Sequence, residues 1–220
     1  VSSLAKETDV VAYAQAQGYD TRAAGDAYKI ASNGGGLVSF ASDPSEIPQA
    51  INDMVAHIKP SLNRNLDDLE LAFVVDYSGS MSDDITAVVA GLTDIVDGFK
   101  NVKVSGRNVK IALVLFGMPG RETVELNLTG DMVKVSNELA RIRNEFQDKN
   151  HNTDPGEASY HGLEITASKV AWTSKNRMAI LITDEPSSEL QNGQTKYVDG
   201  VLSSLKAAGV ETSIYTIVVK

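Results

Sequence analysis

The sequence predicts an α/β domain, doubly wound around a mostly parallel central sheet with helices on both faces. Three observations carry this expectation. From residue 71 to the end of the chain, short apolar runs alternate with stretches of helical periodicity, the order that builds parallel strand–helix–strand units. Two of the runs, Leu71–Val75 and Met178–Thr183, are nearly continuous in apolar residues, as strands covered on both faces are. Each of these two is followed at once by an aspartate, Asp76 and Asp184, and doubly wound sheets place their ligands at the carboxyl ends of their strands.

Taken in order, the elements are these. Asp9 to Gln17 and Thr21 to Ser32 read as helices, Asn33-Gly34-Gly35-Gly36 as a turn, and Leu37 to Ala41 as a short strand. Pro44 to Ile58 reads as a helix with Ile47, Ile51, Met54, Val55 and Ile58 on one side, and Pro60 to Asn65 as a linker. After the Leu71 strand, Asp84 to Lys100 carries Ile85, Val88, Val89, Leu92, Ile95, Val96 and Phe99 at helical spacing. Val109 to Phe116 is another apolar run. Thr123 to Leu128 alternates, which places Val124, Leu126 and Leu128 on one face of an edge strand. Asp131 to Phe146 predicts a helix with Met132, Val135, Leu139, Ile142 and Phe146 inward, and Glu157 to Trp172 a further one. Thr195 to Ala208 reads as a helix stopped by Gly209, and Val210 to Val219 as the last strand.

Composition narrows the function. A net charge of −9 without a basic stripe speaks against nucleic acid and against anionic membrane surfaces. No apolar run reaches the roughly 18–20 residues of a membrane span, so no direct membrane insertion is expected. No basic start followed by an apolar run opens the chain, so it carries no signal peptide of its own and reads as a mature or trimmed fragment. With no cysteine, disulfides, thiolate nucleophiles and cysteine-based zinc sites are out. His57, His151 and His161 share no ligand spacing, and the Gly34-Gly35-Gly36 stretch lacks the Lys-Ser/Thr of a phosphate loop.

The chemistry concentrates in Asp76-Tyr77-Ser78-Gly79-Ser80, between an apolar strand and a helix. A carboxylate and two hydroxyls spaced by two can point into one small volume, and they are hard oxygen donors suited to Mg²⁺, Mn²⁺ or Ca²⁺. Singly, each of these residues is explained by helix capping, which favours Asp and Ser. Asp83 and Asp84 likewise suit the start of a helix.

Asp-x-Ser-x-Ser after an apolar strand resembles the metal-ion-dependent adhesion site of von Willebrand factor A (vWA) domains, a Rossmann-like fold. Two further segments carry the resemblance, Asn152-Thr153-Asp154-Pro155-Gly156-Glu157 and Leu181-Ile182-Thr183-Asp184, and together they cover residues 69–220 in the family's order. Ser80-Met81-Ser82-Asp83-Asp84 is similar to the integrin β-subunit branch. The resemblance implies that Asp76, Ser78, Ser80 and Glu157 surround a Mg²⁺ or Mn²⁺, with Asp184 reaching it through water. Thr153 is the alternative to Glu157, because other branches use a threonine in this loop. It further implies an adjacent Ca²⁺ near Asp83 and Asp84, and a third ion near Asn152 and Asp154. Met118 stands where the integrin branch supplies an Asp, and the Pro of the Asn152 loop falls one place early, which leaves that third site short of ligands.

The family core ends with a strand, a loop, a short edge strand and a final helix, and Lys220 stops before the last of these. Residues 25–58 resemble the missing pieces, with Gly34-Gly35-Gly36 and Phe40 before a helix. The expectation is a single, circularly permuted domain: 1–60 the usual tail placed first, 61–68 a linker, and 69–220 the metal-bearing core. A tail of a preceding domain in a tandem array is the rival reading. The implied function is adhesion or protein binding at the cell surface or outside the cell, through a partner's Asp or Glu, and not catalysis. An intracellular assembly module serving an ATPase or chelatase is the alternative. A hydrolase is the least favoured, since no Gly-x-Ser-x-Gly elbow or placed histidine is present.

Overall fold

A computed structural model describes residues 6–33, 35–62, 68–82, 84–100, 108–117, 122–148, 159–184, 190–191, 194–195, 198–209 and 214–219. The helices are α1 (Glu7–Gln17), α2 (Thr21–Asn33), α3 (Ile47–Leu62), α4 (Ile85–Lys100), α5 (Met132–Asp148), α6 (Ser159–Lys169) and α7 (Val198–Ala207). The strands are β1 (Val38–Ala41), β2 (Leu69–Asp76), β3 (Val109–Phe116), β4 (Thr123–Thr129), β5 (Asn176–Thr183), the two-residue β6 (Leu190–Gln191) and β7 (Gln194–Thr195), and β8 (Ile214–Val219). Among the described residues the main sheet runs β1-β8-β5-β2-β3-β4. All its pairings are parallel except β3 with β4. The α/β, doubly wound, mostly parallel architecture is therefore the one the alternating pattern predicts.

Alternation along β2 divides the core. Leu69, Leu71, Phe73 and Val75 face one layer, packed with Ile47, Ile51 and Met54 of α3, Val88 and Leu92 of α4, and Val135 and Leu139 of α5. Ala72 and Val74 face the other, with Leu163 of α6, Val201 and Leu205 of α7, and Ile30 of α2. A third cluster joins Val10 and Ala14 of α1 to Ala23 and Ala27 of α2 and Val218 of β8. Every residue of β2 is buried, as a central strand covered by helices on both sides requires.

The first strand of the chain lies beside its last: Val38 pairs with Thr216 and Ala41 with Val219. Gly36 makes this approach possible, because a Cβ there would stand 1.7 Å from the Ile214 carbonyl oxygen. The turn that the three-glycine run predicts is thus a point of contact between backbones.

Four expectations are corrected. Val124 and Leu128 pack toward the α6/α7 layer, while Leu126 belongs to the α4/α5 layer. The β3–β4 register slips on either side of Leu113, so Leu126 pairs with Leu113 but Val124 with Val114, and each extra residue on the bulged strand reverses the side-chain faces. The Pro44 segment is two pieces: Asp43 accepts from the Ser45 amide at 2.8 Å to cap a 3₁₀ turn, Pro44–Glu46, and α3 then runs to Leu62, through Pro60. Pro60 has no N–H, so the last turn of α3 lacks one i→i−4 hydrogen bond. Thr195 pairs with Leu190 in a small hairpin, and α7 begins at Val198. At its carboxyl end α6 stops at Lys169, short of Trp172, whose indole N–H donates to the Thr166 carbonyl at 2.9 Å.

Candidate metal centre

The loop after β2 is fixed from several sides. Asp76 pairs with Phe116 at the end of the β2–β3 ladder, and the Tyr77 amide donates to the Phe116 carbonyl at 2.6 Å. The Ser78 amide turns back to Asp76 Oδ1 at 2.9 Å, the local bond by which Asp stabilises tight turns. Ser80 opens a 3₁₀ turn, Ser80–Ser82, whose Met81 is wholly buried. The Asp84 amide donates to the Met81 carbonyl at 3.0 Å, and the Asp84 carbonyl accepts from Val88 at 2.9 Å, leading into α4. Gly117 lies against the loop: a Cβ there would be 3.4 Å from the Ser78 nitrogen.

Four of the residues singled out in the sequence converge. Ser78 Oγ and Ser80 Oγ are 2.8 Å apart, and Ser80 Oγ donates to Asp184 Oδ1 at 3.1 Å. Thr183 Oγ1 donates to Asp76 Oδ2 at 2.8 Å. The ends of β2 and β5 thus bring two carboxylates and two serine hydroxyls into one cluster. Thr183 was missed in the sequence; its signal was its place, the hydroxyl residue just before the strand-end Asp184 on the strand that neighbours β2. Asp84 is buried at the start of α4. Asp83, Asn152, Thr153, Asp154, Glu157 and Met118 lie outside the described residues.

Burial pushes the Asp76 carboxyl up, the charge of Asp184 adds to this, and the hydrogen bonds from Ser78 and Thr183 hold it back; the outcome is about 7. Asp184 is also raised, by burial, against the hydrogen bonds from Ser80 and its own amide. Among the described residues no Lys, Arg or His forms an ion pair with either carboxylate. Two carboxylates, Asp76 buried and Asp184 half-buried, thus lie side by side without a cationic partner among the described residues. The donor set fits a hard divalent cation: each oxygen engaged by one hydrogen bond keeps a further lone pair, and a cation would favour the ionised form of both acids. The oxygens present are two carboxylates and the hydroxyls of Ser78, Ser80 and Thr183, hard donors that suit Mg²⁺ or Mn²⁺ better than Zn²⁺.

Tyr77 points away from this cluster into the α5 side. Its hydroxyl donates to the Ile142 carbonyl at 3.1 Å, and its ring meets Phe146 edge-on at 4.8 Å. Burial, with the charge of Glu145, pushes the Tyr77 hydroxyl up to about 12, so it stays a donor throughout the neutral range.

Residues 70–219 match the family model of the von Willebrand factor type A domain, and the chain belongs to that family. No curated protein matches the sequence. Similar solved structures include an aerotolerance-related membrane protein from Bacteroides fragilis (16% identity, TM-score 0.43, 68% of this chain and 66% of that one). Others are the vWF domain of the type V pili tip protein Mfa5 from Porphyromonas gingivalis (18%, 0.43, 56% and 40%) and the pilus adhesin SpaC from Lactobacillus rhamnosus GG (25%, 0.41, 60% and 17%). The chain spans less than two thirds of the length of each of the three.

Proposed function

We propose that this vWA domain is a metal-dependent protein-binding module without catalytic activity, working at the cell surface or outside the cell. Asp76, Ser78 and Ser80 hold a Mg²⁺ or Mn²⁺, Asp184 holds a water bound to it, and Glu157 or Thr153 completes the protein's share. Few protein charges would then touch the cation, which would leave it able to accept an Asp or Glu carboxylate from a partner. The observation that carries the reading is the convergence of the Asp76–Ser78–Ser80 loop on Asp184, a buried and a half-buried carboxylate with hydroxyls between them. Asp83 and Asp84 are assigned to an adjacent Ca²⁺ on the integrin-β pattern, and Asn152 and Asp154 to a weaker third site.

A random peptide library panned against the Mg²⁺-loaded protein and eluted with EDTA tests the partner chemistry. Enrichment of a fixed Asp or Glu supports it. Peptides without an acidic residue, or retention that survives EDTA, count against it.

We further propose that the chain is one circularly permuted domain, 1–220, in which 1–60 does the work of the usual tail, 61–68 is the joint and 69–220 the core. The pairing of β1 with β8 and the packing of α3 on α4 support this. A rearranged chain, with 69–220 first and a short flexible joint to 6–62, should fold with the midpoint of the parent; residues 69–220 alone should not fold. Cooperative folding of 69–220 alone at the parent's midpoint would favour the tandem-array reading.

A further inference from the structure

We propose that Tyr77 is a positioning residue for the candidate metal centre: its hydroxyl, fixed on the Ile142 carbonyl of α5, sets where the Ser78 and Ser80 hydroxyls stand. The consequence for cation binding rests on the reading above; the positioning itself does not.

The backbone bonds of this loop run to β3 and within the loop itself, and the Tyr77 side chain adds a tie to α5. The Ser78 hydroxyl bonds to Ser80, and Ser80 to Asp184, a chain that shifts as one unit if the loop moves. Tyr77 is the neighbouring residue, and its side chain runs to the opposite side, across a sequence separation of 65 residues, to α5. There the Ile142 oxygen is a mid-helix acceptor, with a second lone pair available beyond its helical bond. The Phe146 ring, edge-on at 4.8 Å, limits the tyrosine's swing. The anchor is itself anchored: Arg141, next to Ile142, pairs with Glu125 of β4 and with Glu138 and Glu145 of α5. An apolar side chain at position 77 would fill the same space but would not fix the distance between loop and helix. A directional bond does.

Tyr77→Phe keeps the ring and removes only the hydroxyl. In metal-free protein, amide exchange followed by NMR compares Ser78, in the loop, with Phe73, in the middle of β2. The expected result is that Ser78 exchanges about tenfold faster in the variant while Phe73 stays within about twofold. In calorimetry the variant should bind Mg²⁺ about five- to tenfold more weakly than the parent. Ser78 exchange unchanged, or Ser78 and Phe73 accelerated together, would overturn the positioning role and leave Tyr77 an ordinary packing residue. Faster Ser78 exchange with unchanged Mg²⁺ affinity would also overturn it, because the serine hydroxyls would then not depend on the strut. If the parent itself binds no cation, the cation reading fails, and the exchange comparison alone decides the role of Tyr77.

Discussion

Replacing Asp76 by Asn should make the metal-free protein more stable at pH 8, the opposite of what a helix cap or turn residue would do. Asn is nearly isosteric. Its Oδ1 can keep the Ser78 amide bond of 2.9 Å, and its Nδ2 can donate to Thr183 Oγ1, which turns from donor to acceptor. What disappears is a buried negative charge beside Asp184. A carboxyl at 3.8 when unfolded and about 7 when folded costs on the order of 4 kcal/mol to keep ionised in the fold at pH 8. Because the folded value is the higher one, the stability it gives is fully present below pH 3.8 and is lost as pH rises through about 7. In EDTA at pH 8 the variant should therefore melt roughly 8–16 °C above the parent, at about 2–4 °C per kcal/mol for a chain of this size. The difference should shrink as pH falls, to about 1 kcal/mol at pH 4.5, and vanish below about pH 3.8. Mg²⁺ at a hundred times its dissociation constant should return about 2.7 kcal/mol to the parent and nothing to the variant. Differential scanning calorimetry over this pH range reads all three. A variant that melts below the parent at pH 8 in EDTA would mean that the Asp76 charge is favourable in the fold, contrary to its raised value.

The other end of β2 offers a contrasting carboxylate. Burial raises Glu70, but hydrogen bonds from the Thr173 hydroxyl, the Ser174 and Thr173 amides and Lys110 outweigh it, so its value is lowered. Glu70→Ala leaves two amides that now donate to it at 2.8 and 2.9 Å without that acceptor, and should cost roughly 2–5 kcal/mol, read from the urea midpoint. Glu70→Gln should weaken the protein's loss of stability as pH falls below 4.5, since a lowered acid gives its stability above that value and loses it on protonation; an unchanged acid limb would contradict this. Gly36→Ala should cost roughly 3 kcal/mol or more, because the new Cβ meets the Ile214 carbonyl and forces β1 away from β8. A midpoint within about 0.5 kcal/mol of the parent would mean that this close approach is not kept in solution.

The parts of the fold legible in the sequence were those written in local periodicity. β2 and β5 were continuous apolar runs because helices cover both faces, and Asp76 and Asp184 stood out because each ended such a run. The faces of β4 were misread because two slips in register around Leu113 break the alternation that a regular strand would show. α3 runs past Pro60 into what the sequence presents as a linker, at the loss of one i→i−4 hydrogen bond in its last turn. At the site, Asp76, Ser78 and Ser80 were legible as a motif and Asp184 through the strand-end rule. The hydroxyl of Thr183 and the strut from Tyr77 to Ile142 were not, because spacing along the chain carries no trace of a contact between strands or across 65 residues. The expectations for Thr153, Glu157, Asn152, Asp154 and Asp83 fall outside the described residues.

The most direct test of a cation held by the Asp76 loop is calorimetric titration of Mg²⁺, Mn²⁺ and Ca²⁺ into metal-stripped protein, with Asp76→Ala and Asp83→Ala alongside and folding checked by circular dichroism. One saturable Mg²⁺ or Mn²⁺ event should disappear in Asp76→Ala, and a separate Ca²⁺ event should be lost only in Asp83→Ala. A parent that binds no divalent cation, or a folded Asp76→Ala variant that binds Mg²⁺ as the parent does, would contradict a cation site at the Asp76 loop.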